Sequence, residues 1–91
     1  MKVKKELIVE ASKGDKAAFS ELYYSCYNEL YKFALFTLGN PEDAADVVSD
    51  TFVDVWKNIK NLRNPESFAP WVFRILSIRC KKEISKMIKR R

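Results

Sequence analysis

The 91-residue chain contains no histidine, only two glycines and only two cysteines. The absence of histidine removes the commonest general base and metal ligand of proteins. Two separated glycines cannot form the glycine-rich loop that cradles phosphates. Neither a nucleophile motif nor a pair of carboxylates in an evident pocket stands out. The composition argues against an enzyme, and we predict no catalytic residue, metal site, cofactor or small-molecule substrate.

The two cysteines and the apolar segments also limit where the protein can work. Cys26 and Cys80 lie far apart and lack metal-ligand spacing, so we expect two reduced side chains that are packed or half-exposed. The N-terminus has no apolar run of signal-peptide length. No stretch approaches the roughly 18 apolar residues of a membrane span. We therefore expect a cytoplasmic protein that does not use a membrane.

Hydrophobic periodicity predicts helices throughout the chain. Its length allows one domain, and its 47% hydrophobic content allows a small core. Sustained alternation and hairpin turns, the signals of strands, are absent. Apolar residues instead recur at three- and four-residue spacing. We expect an all-α fold in which three long helices pack as a bundle with a short N-terminal helix, at about Val3–Lys13, Asp15–Leu38, Pro41–Ile59 and Pro65–Lys89.

Glycine and proline mark the helix ends. Gly39 follows a long periodic stretch, which is typical of a helix stop. Asn40-Pro41 then supplies a cap and a first-turn proline, and Asn64-Pro65 repeats the device. The apolar stripes that we expect to be buried include Phe33 and Thr37 in the second helix, Trp56 in the third and Ile78 in the fourth.

Charge is strongly sorted along the chain. Residues 39–56 hold five acids and no base, whereas residues 57–91 hold eleven bases and two acids. With a sequence pI of about 9.3, this predicts one surface for a basic partner and another for a polyanion such as nucleic acid. The alternative is two solvated helix faces that differ by chance.

The acids of the third helix form a stripe. Asp43, Asp46, Asp50 and Asp54 stand at i, i+3, i+7 and i+11. Aspartate is a poor helix former, and no Lys or Arg lies four residues away to relieve the stripe before Lys57. Because no base within the helix offsets the stability cost of these acids, the stripe favours an external basic partner. The alternative is a solvent-exposed face without a partner, which would have the same spacing of acids.

The segment after this helix interleaves bases, amides and aromatics. Single-stranded nucleic acid requires such a mixture, because Lys and Arg neutralise phosphates while bases stack on rings. The alternative for Phe68 and Trp71 is that both rings face the core. A helix-turn-helix reader is disfavoured, because the connection near residues 58–64 is too long for its three- or four-residue turn.

Two segments in order, DAADVVSDTF followed by Trp56 and then SFAPWVFRI, carry a family resemblance. From about Gly14 to Arg91 the chain resembles conserved region two of bacterial RNA polymerase sigma factors of the extracytoplasmic-function (ECF) type. The resemblance implies that the third helix docks on the clamp coiled coil of the polymerase largest subunit. The residues expected there are Asp43, Asp46, Ser49, Asp50 and Asp54.

The resemblance also implies promoter recognition. In the family, the connector and the following helix recognise and help melt the minus-ten element, capturing a flipped base of the non-template strand. The residues expected to bind DNA are Lys57, Lys60, Asn61, Leu62, Arg63, Asn64, Phe68, Trp71, Arg74, Arg79, Lys81 and Lys82.

The chain departs from the family pattern at several positions. Ser49 and Asp50 stand where Gln and Glu are usual, and Ile78 and Lys82 stand where Asn and then Asp or Asn are frequent. The family's second promoter-binding domain does not follow Arg91, and we interpret the chain as a fragment of a longer protein. The alternative function is a small helical interaction module for self-association or for binding an anti-sigma factor.

Overall fold

A computed structural model describes residues 1–90 of the chain as four helices. They are α1 (Lys5–Ser12), α2 (Lys16–Leu38), α3 (Pro41–Asn58) and α4 (Phe68–Lys89). Two short 3-10 turns, Ile59–Asn61 and Pro65–Ser67, lie between α3 and α4. No strand occurs within the described range, which confirms the all-α prediction.

Side-chain caps and a glycine set the ends of the long helices. The Asp15 carboxylate accepts a hydrogen bond from the Ala18 N–H at 3.0 Å and begins α2. Gly39 ends α2 in the left-handed conformation at φ 72°, and its N–H donates to the Leu35 carbonyl at 2.8 Å. The Asn40 side chain then accepts from the Asp43 N–H at 3.0 Å. The stop at Gly39 and the start at Asn40 therefore lie where the sequence predicted them.

The fourth helix begins three residues later than predicted. Asn64 accepts from the Glu66 N–H at 3.0 Å, but this bond opens the 3-10 turn Pro65–Ser67 rather than α4. Pro70 explains the difference. A helix starting at Pro65 would place Pro70 in its interior, where the ring clashes with the carbonyl four residues earlier. With α4 starting at Phe68, Pro70 lies in the first turn, where its missing N–H has no cost.

The core lies where α2, α3 and α4 meet. Buried apolar side chains recur along each helix with helical spacing, and α1 adds Ile8 and Ala11 by packing on α2. In α4 the buried stripe has a spacing of four residues. The fully buried side chains of the three long helices include Leu22, Cys26, Leu30, Val48, Thr51, Val55, Phe68, Val72, Leu76 and Cys80.

Four residues predicted to be buried are exposed. Phe33, Trp56 and Ile78 expose between 39% and 46% of their surface, and Thr37 is exposed as well. Each lies at the edge of its stripe. Trp56 contacts Phe19 with ring centroids 4.9 Å apart, yet 41% of its surface remains exposed. Periodicity located the stripes correctly but not their width.

Both cysteines are free, as predicted, and both are buried. Burial raises the pKa of the Cys26 thiol to about 12, and burial also raises the pKa of Cys80. Neither thiol therefore carries the thiolate needed for reactivity near neutral pH. Among the helices of residues 1–90, none is long and apolar enough to cross a bilayer.

Candidate docking and nucleic-acid surfaces

The outer side of α3 combines exposed acids with an apolar cleft. Asp46, Asp50 and Ser49 are exposed, whereas Asp43 is half-buried in the first turn. Beside Ser49, a shallow cleft of about 320 Å³ is lined by aromatic and aliphatic side chains from α2 and α3. A basic helix with an apolar stripe would fit such a surface. The cleft residues are Phe19, Tyr23, Ser49, Phe52, Val53 and Trp56.

The sequence prediction for this side was incomplete. It identified the acids but assigned Trp56 to the core, and it did not single out Val53, which is 49% exposed. The sequence signal for this cleft was that apolar residues of α3 extend one position beyond its buried stripe. Only the structure shows which of these residues α2 leaves exposed.

Asp54 and Arg79 form an ion pair between α3 and α4. Arg79 Nε donates to Asp54 Oδ2 and Arg79 Nη2 donates to Asp54 Oδ1, each at 2.7 Å. This hydrogen bonding lowers the pKa of Asp54 and raises that of Arg79. The stripe of acids is therefore compensated from within the protein at Asp54, contrary to the sequence prediction. The base that compensates it lies 25 residues along the chain, beyond the reach of a helix-spacing rule.

The same pair lies at the wall of a groove between the end of α3 and the outer side of α4. The groove has a volume of about 330 Å³. It brings together amides, bases, an indole and aliphatic side chains, which can hydrogen-bond and stack with a nucleobase. Its lining residues are Asp54, Asn58, Asn61, Trp71, Ile75, Ile78, Arg79 and Lys82.

The two aromatic residues predicted to bind DNA occupy different environments. Phe68 is 2% exposed because it starts the buried stripe of α4, so its ring is unavailable at the surface. Trp71 is half-buried and lines the groove, with its ring centroid 6.0 Å from that of Phe68. This burial argues against the predicted contact of Phe68 with DNA, which stays a prediction.

The residues of the connector between α3 and α4 also differ in exposure and in their contacts. Lys60, Asn61, Arg63 and Asn64 are exposed, and Leu62 is half-buried. Asn61 reaches the groove. The Asn64 side-chain oxygen is engaged by the Glu66 N–H.

The remaining predicted bases lie on more than one side of the molecule. Lys57 and Lys60 line a separate cleft beneath α1, of about 340 Å³. Arg74 and Lys81 are exposed but do not line the groove that contains Lys82. Arg90, the C-cap residue of α4, pairs with Glu83 at 3.1 Å. Arg91 of the predicted basic run lies outside the described residues.

Sequence reasoning did not assign a role to Asn58, Ile75 or Ile78 in the groove. The Asn58 side-chain amide donates to the Asp54 carbonyl at 2.9 Å, which ties it to the last turn of α3. The signal for α4 was its second periodic stripe, which runs beside the buried one through Trp71, Ile75 and Lys82. Only the packing shows that this second stripe faces the end of α3.

Comparisons with known proteins point to one family. The family model described as Sigma-70 region 2 matches residues 22–90. The chain is 29% identical over 71 residues to the ECF RNA polymerase sigma factor SigW of Bacillus subtilis, covering 78% of this chain and 38% of that protein. It is 35% identical over 74 residues to the RNA polymerase sigma factor NccH of Alcaligenes xylosoxydans xylosoxydans, covering 80% and 39%.

A third relative is the ECF RNA polymerase sigma factor SigE of Mycolicibacterium smegmatis. It is 34% identical over 65 residues, which cover 68% of this chain and 25% of that protein. The chain thus spans only about two fifths or less of the length of these curated relatives. No solved structure matches the chain significantly.

Proposed function

The chain belongs to the sigma-70 region 2 family, and from this membership we propose that it is a transcription initiation domain that joins core RNA polymerase to promoter DNA. The observation that supports this function most directly is the family match over residues 22–90. The domain acts by binding rather than by catalysis. Since both proposed partners are cytoplasmic in bacteria, we place its action there.

The proposed polymerase contact is the outer side of α3. Asp46 and Asp50 are exposed, and Ser49 lies between them beside the apolar cleft. The clamp coiled coil of the largest subunit, basic where this family docks, would meet the acids with Lys and Arg and would cover Val53 and Trp56. Charge complementarity speeds and orients such an encounter, and the buried apolar centre supplies affinity. Asp43 belongs at the edge of this contact, because it is half-buried in the first turn.

The proposed DNA contact is the groove between α3 and α4 together with the bases around it. Flipping a base out of duplex DNA costs a few kcal/mol, which stacking and hydrogen bonds in a pocket offset. Trp71 and Asn61 can stack and hydrogen-bond, and Lys82 lies at the same groove for a phosphate. The other exposed bases, which would contact the DNA backbone, are Lys57, Lys60, Arg63, Arg74 and Lys81.

Binding of the purified chain to bacterial core RNA polymerase tests this function. The matched variants are Asp46→Lys/Asp50→Lys on α3 and Glu6→Lys/Glu21→Lys on α1 and α2. All four positions are exposed, and both variants change the net charge equally. We expect saturable binding by the wild-type chain, a loss of at least about tenfold in the α3 variant, and little change in the other.

Two results would contradict the proposal. One is a folded wild-type chain, verified by circular dichroism, that does not bind core polymerase. The other is an equal loss in both variants, which would show a dependence on net charge rather than on the α3 surface.

A further inference from the structure

The ion pair between α3 and α4 uses both oxygens of one carboxylate. Asp54 Oδ1 and Oδ2 each accept a hydrogen bond from Arg79 at 2.7 Å. A guanidinium has five N–H donors in a planar fork. Two of them are engaged here, through Nε and Nη2, so the two N–H groups of Nη1 and the second of Nη2 lie outside the pair. Asp54 therefore fixes the Arg79 side chain while leaving it three donors.

The position of Asp54 differs from that of the other acids on its helix. Its side chain is 25% exposed, whereas Asp46 and Asp50 are exposed on the outer side of α3. It lines the groove with Asn61 and Lys82. A helix docked on the outer side of α3 would meet Asp46 and Asp50 but would find both oxygens of Asp54 already bonded.

From this geometry we propose that Asp54 is a positioning residue for DNA binding: its carboxylate holds Arg79 at the groove wall, with the remaining donors available to single-stranded DNA. The inference rests on the proposed DNA-binding function and deepens it. It also moves Asp54 from the predicted polymerase contact to the DNA side. A pre-ordered arginine loses less conformational freedom when it binds, so its contact with a phosphate or a base edge is stronger.

The sign of the expected effect separates this role from general electrostatics. A carboxylate near DNA repels phosphates, so its removal alone should strengthen DNA binding. If Asp54 acts through Arg79, its removal should weaken DNA binding, because Arg79 loses the partner that orients it. The two effects have opposite signs for the same substitution.

The experiment measures the affinity of the full chain for a fluorescently labelled, mixed-sequence single-stranded 12-mer by anisotropy. Asp54→Asn keeps the shape of the side chain and removes its charge. Asp46→Asn is the matched control two helical turns away, since Asp50 lies close enough to Arg79 to interact with it electrostatically. We expect Asp54→Asn to weaken DNA binding about three- to tenfold, the range of one ordinary hydrogen bond. Asp46→Asn should leave DNA binding unchanged or slightly tighter, and should weaken core polymerase binding instead.

A double-mutant cycle tests whether Asp54 acts through Arg79. Arg79→Gln should weaken DNA binding. It should also reduce the dependence of the DNA affinity on salt concentration by the amount expected for about one phosphate contact. The Asp54→Asn/Arg79→Gln double variant should then bind within about twofold of Arg79→Gln alone, because a positioning residue has nothing left to position. If circular dichroism shows that Asp54→Asn unfolds the chain, Arg79→Lys replaces it. That variant keeps the charge and loses the two-point bond, and it too should bind DNA more weakly.

The outcomes distinguish this inference from the broader function. The role of Asp54 is overturned if Asp54→Asn binds DNA as tightly as the wild type, or if this substitution weakens polymerase binding alone. Either result leaves the proposed function intact. The role of Asp54 is also overturned if the wild-type chain binds polymerase but not the 12-mer. A wild-type chain that binds neither contradicts the proposed function itself.

Discussion

Asp50 and Asp54 lie one turn apart on α3, but their surroundings differ. Asp50 is exposed on the outer side of the helix, whereas Asp54 is held by two hydrogen bonds to Arg79 of α4. Acids of one stripe thus lie on two surfaces. The outer surface carries acids and an apolar cleft, which we propose meet a basic protein. At the groove, the acid is hydrogen-bonded to a base. The comparison shows that a charged stripe on one helix need not form one surface.

The largest expected effect concerns the core packing of α4, on which the difference between Asp50 and Asp54 depends. Leu76 is fully buried in α4, and Leu76→Ala should destabilise the fold by about 2–5 kcal/mol through lost burial and a residual cavity. Ile78→Ala, at an exposed position of the same helix, is the control and should cost far less. Urea unfolding followed by circular dichroism measures both. Equal destabilisation by the two variants would contradict the assignment of the buried stripe.

A smaller effect concerns the apolar part of the outer surface. Val53→Lys should weaken core polymerase binding by about tenfold, because it places a cation in the cleft that is proposed to receive a basic helix. DNA binding by the groove should be unchanged or slightly tighter. Tyr24→Lys adds the same charge at an exposed site on α2 that lies outside this cleft and is the control. Equal polymerase binding by wild type and Val53→Lys would restrict the docking surface to the acids.

The smallest effect isolates the ion pair by pH. The pKa of Asp54 is lowered in the folded protein, chiefly by its hydrogen bonds to Arg79. The pair therefore contributes stability above the ordinary aspartate pKa near 4, and that contribution is lost as the pH falls through the lower folded pKa. Because both side chains are partly exposed, we expect about 1 kcal/mol or less.

Thermal unfolding of wild type and Asp54→Asn between pH 6 and pH 2 measures this contribution. The stability difference between the two proteins should be largest at pH 6 and should shrink toward pH 2. Arg79→Gln should follow the same course. A difference that is independent of pH would show that the pair adds nothing to folding.

Much of the fold could be predicted because its signals are local. Gly39 and Asn40 end one helix and begin the next through hydrogen bonds that span three or four residues. The predicted start of α4 was wrong because a second residue, besides the helix cap, restricts where this helix can begin. Pro70 delayed the start of α4 despite the cap at Asn64.

The candidate site was less predictable than the fold. The outward direction of Asp46 and Asp50 follows from the helical period and the apolar residues opposite them. The burial of Phe68 and the exposure of Trp56 depend on how closely neighbouring helices approach the edge of a stripe. Periodicity predicts the direction in which such a side chain points, but not how much of its surface neighbouring helices bury.

The sequence by itself determined the number of helices, most of their ends, the sorting of charge and the family. These properties depend on residues within one or two helical turns of each other, or on their order along the chain. The tertiary structure alone decided that Asp54 meets Arg79 and that Trp71 and Asn61 share a groove. The reason is physical: each of these contacts joins different elements and depends on how α4 packs against α3.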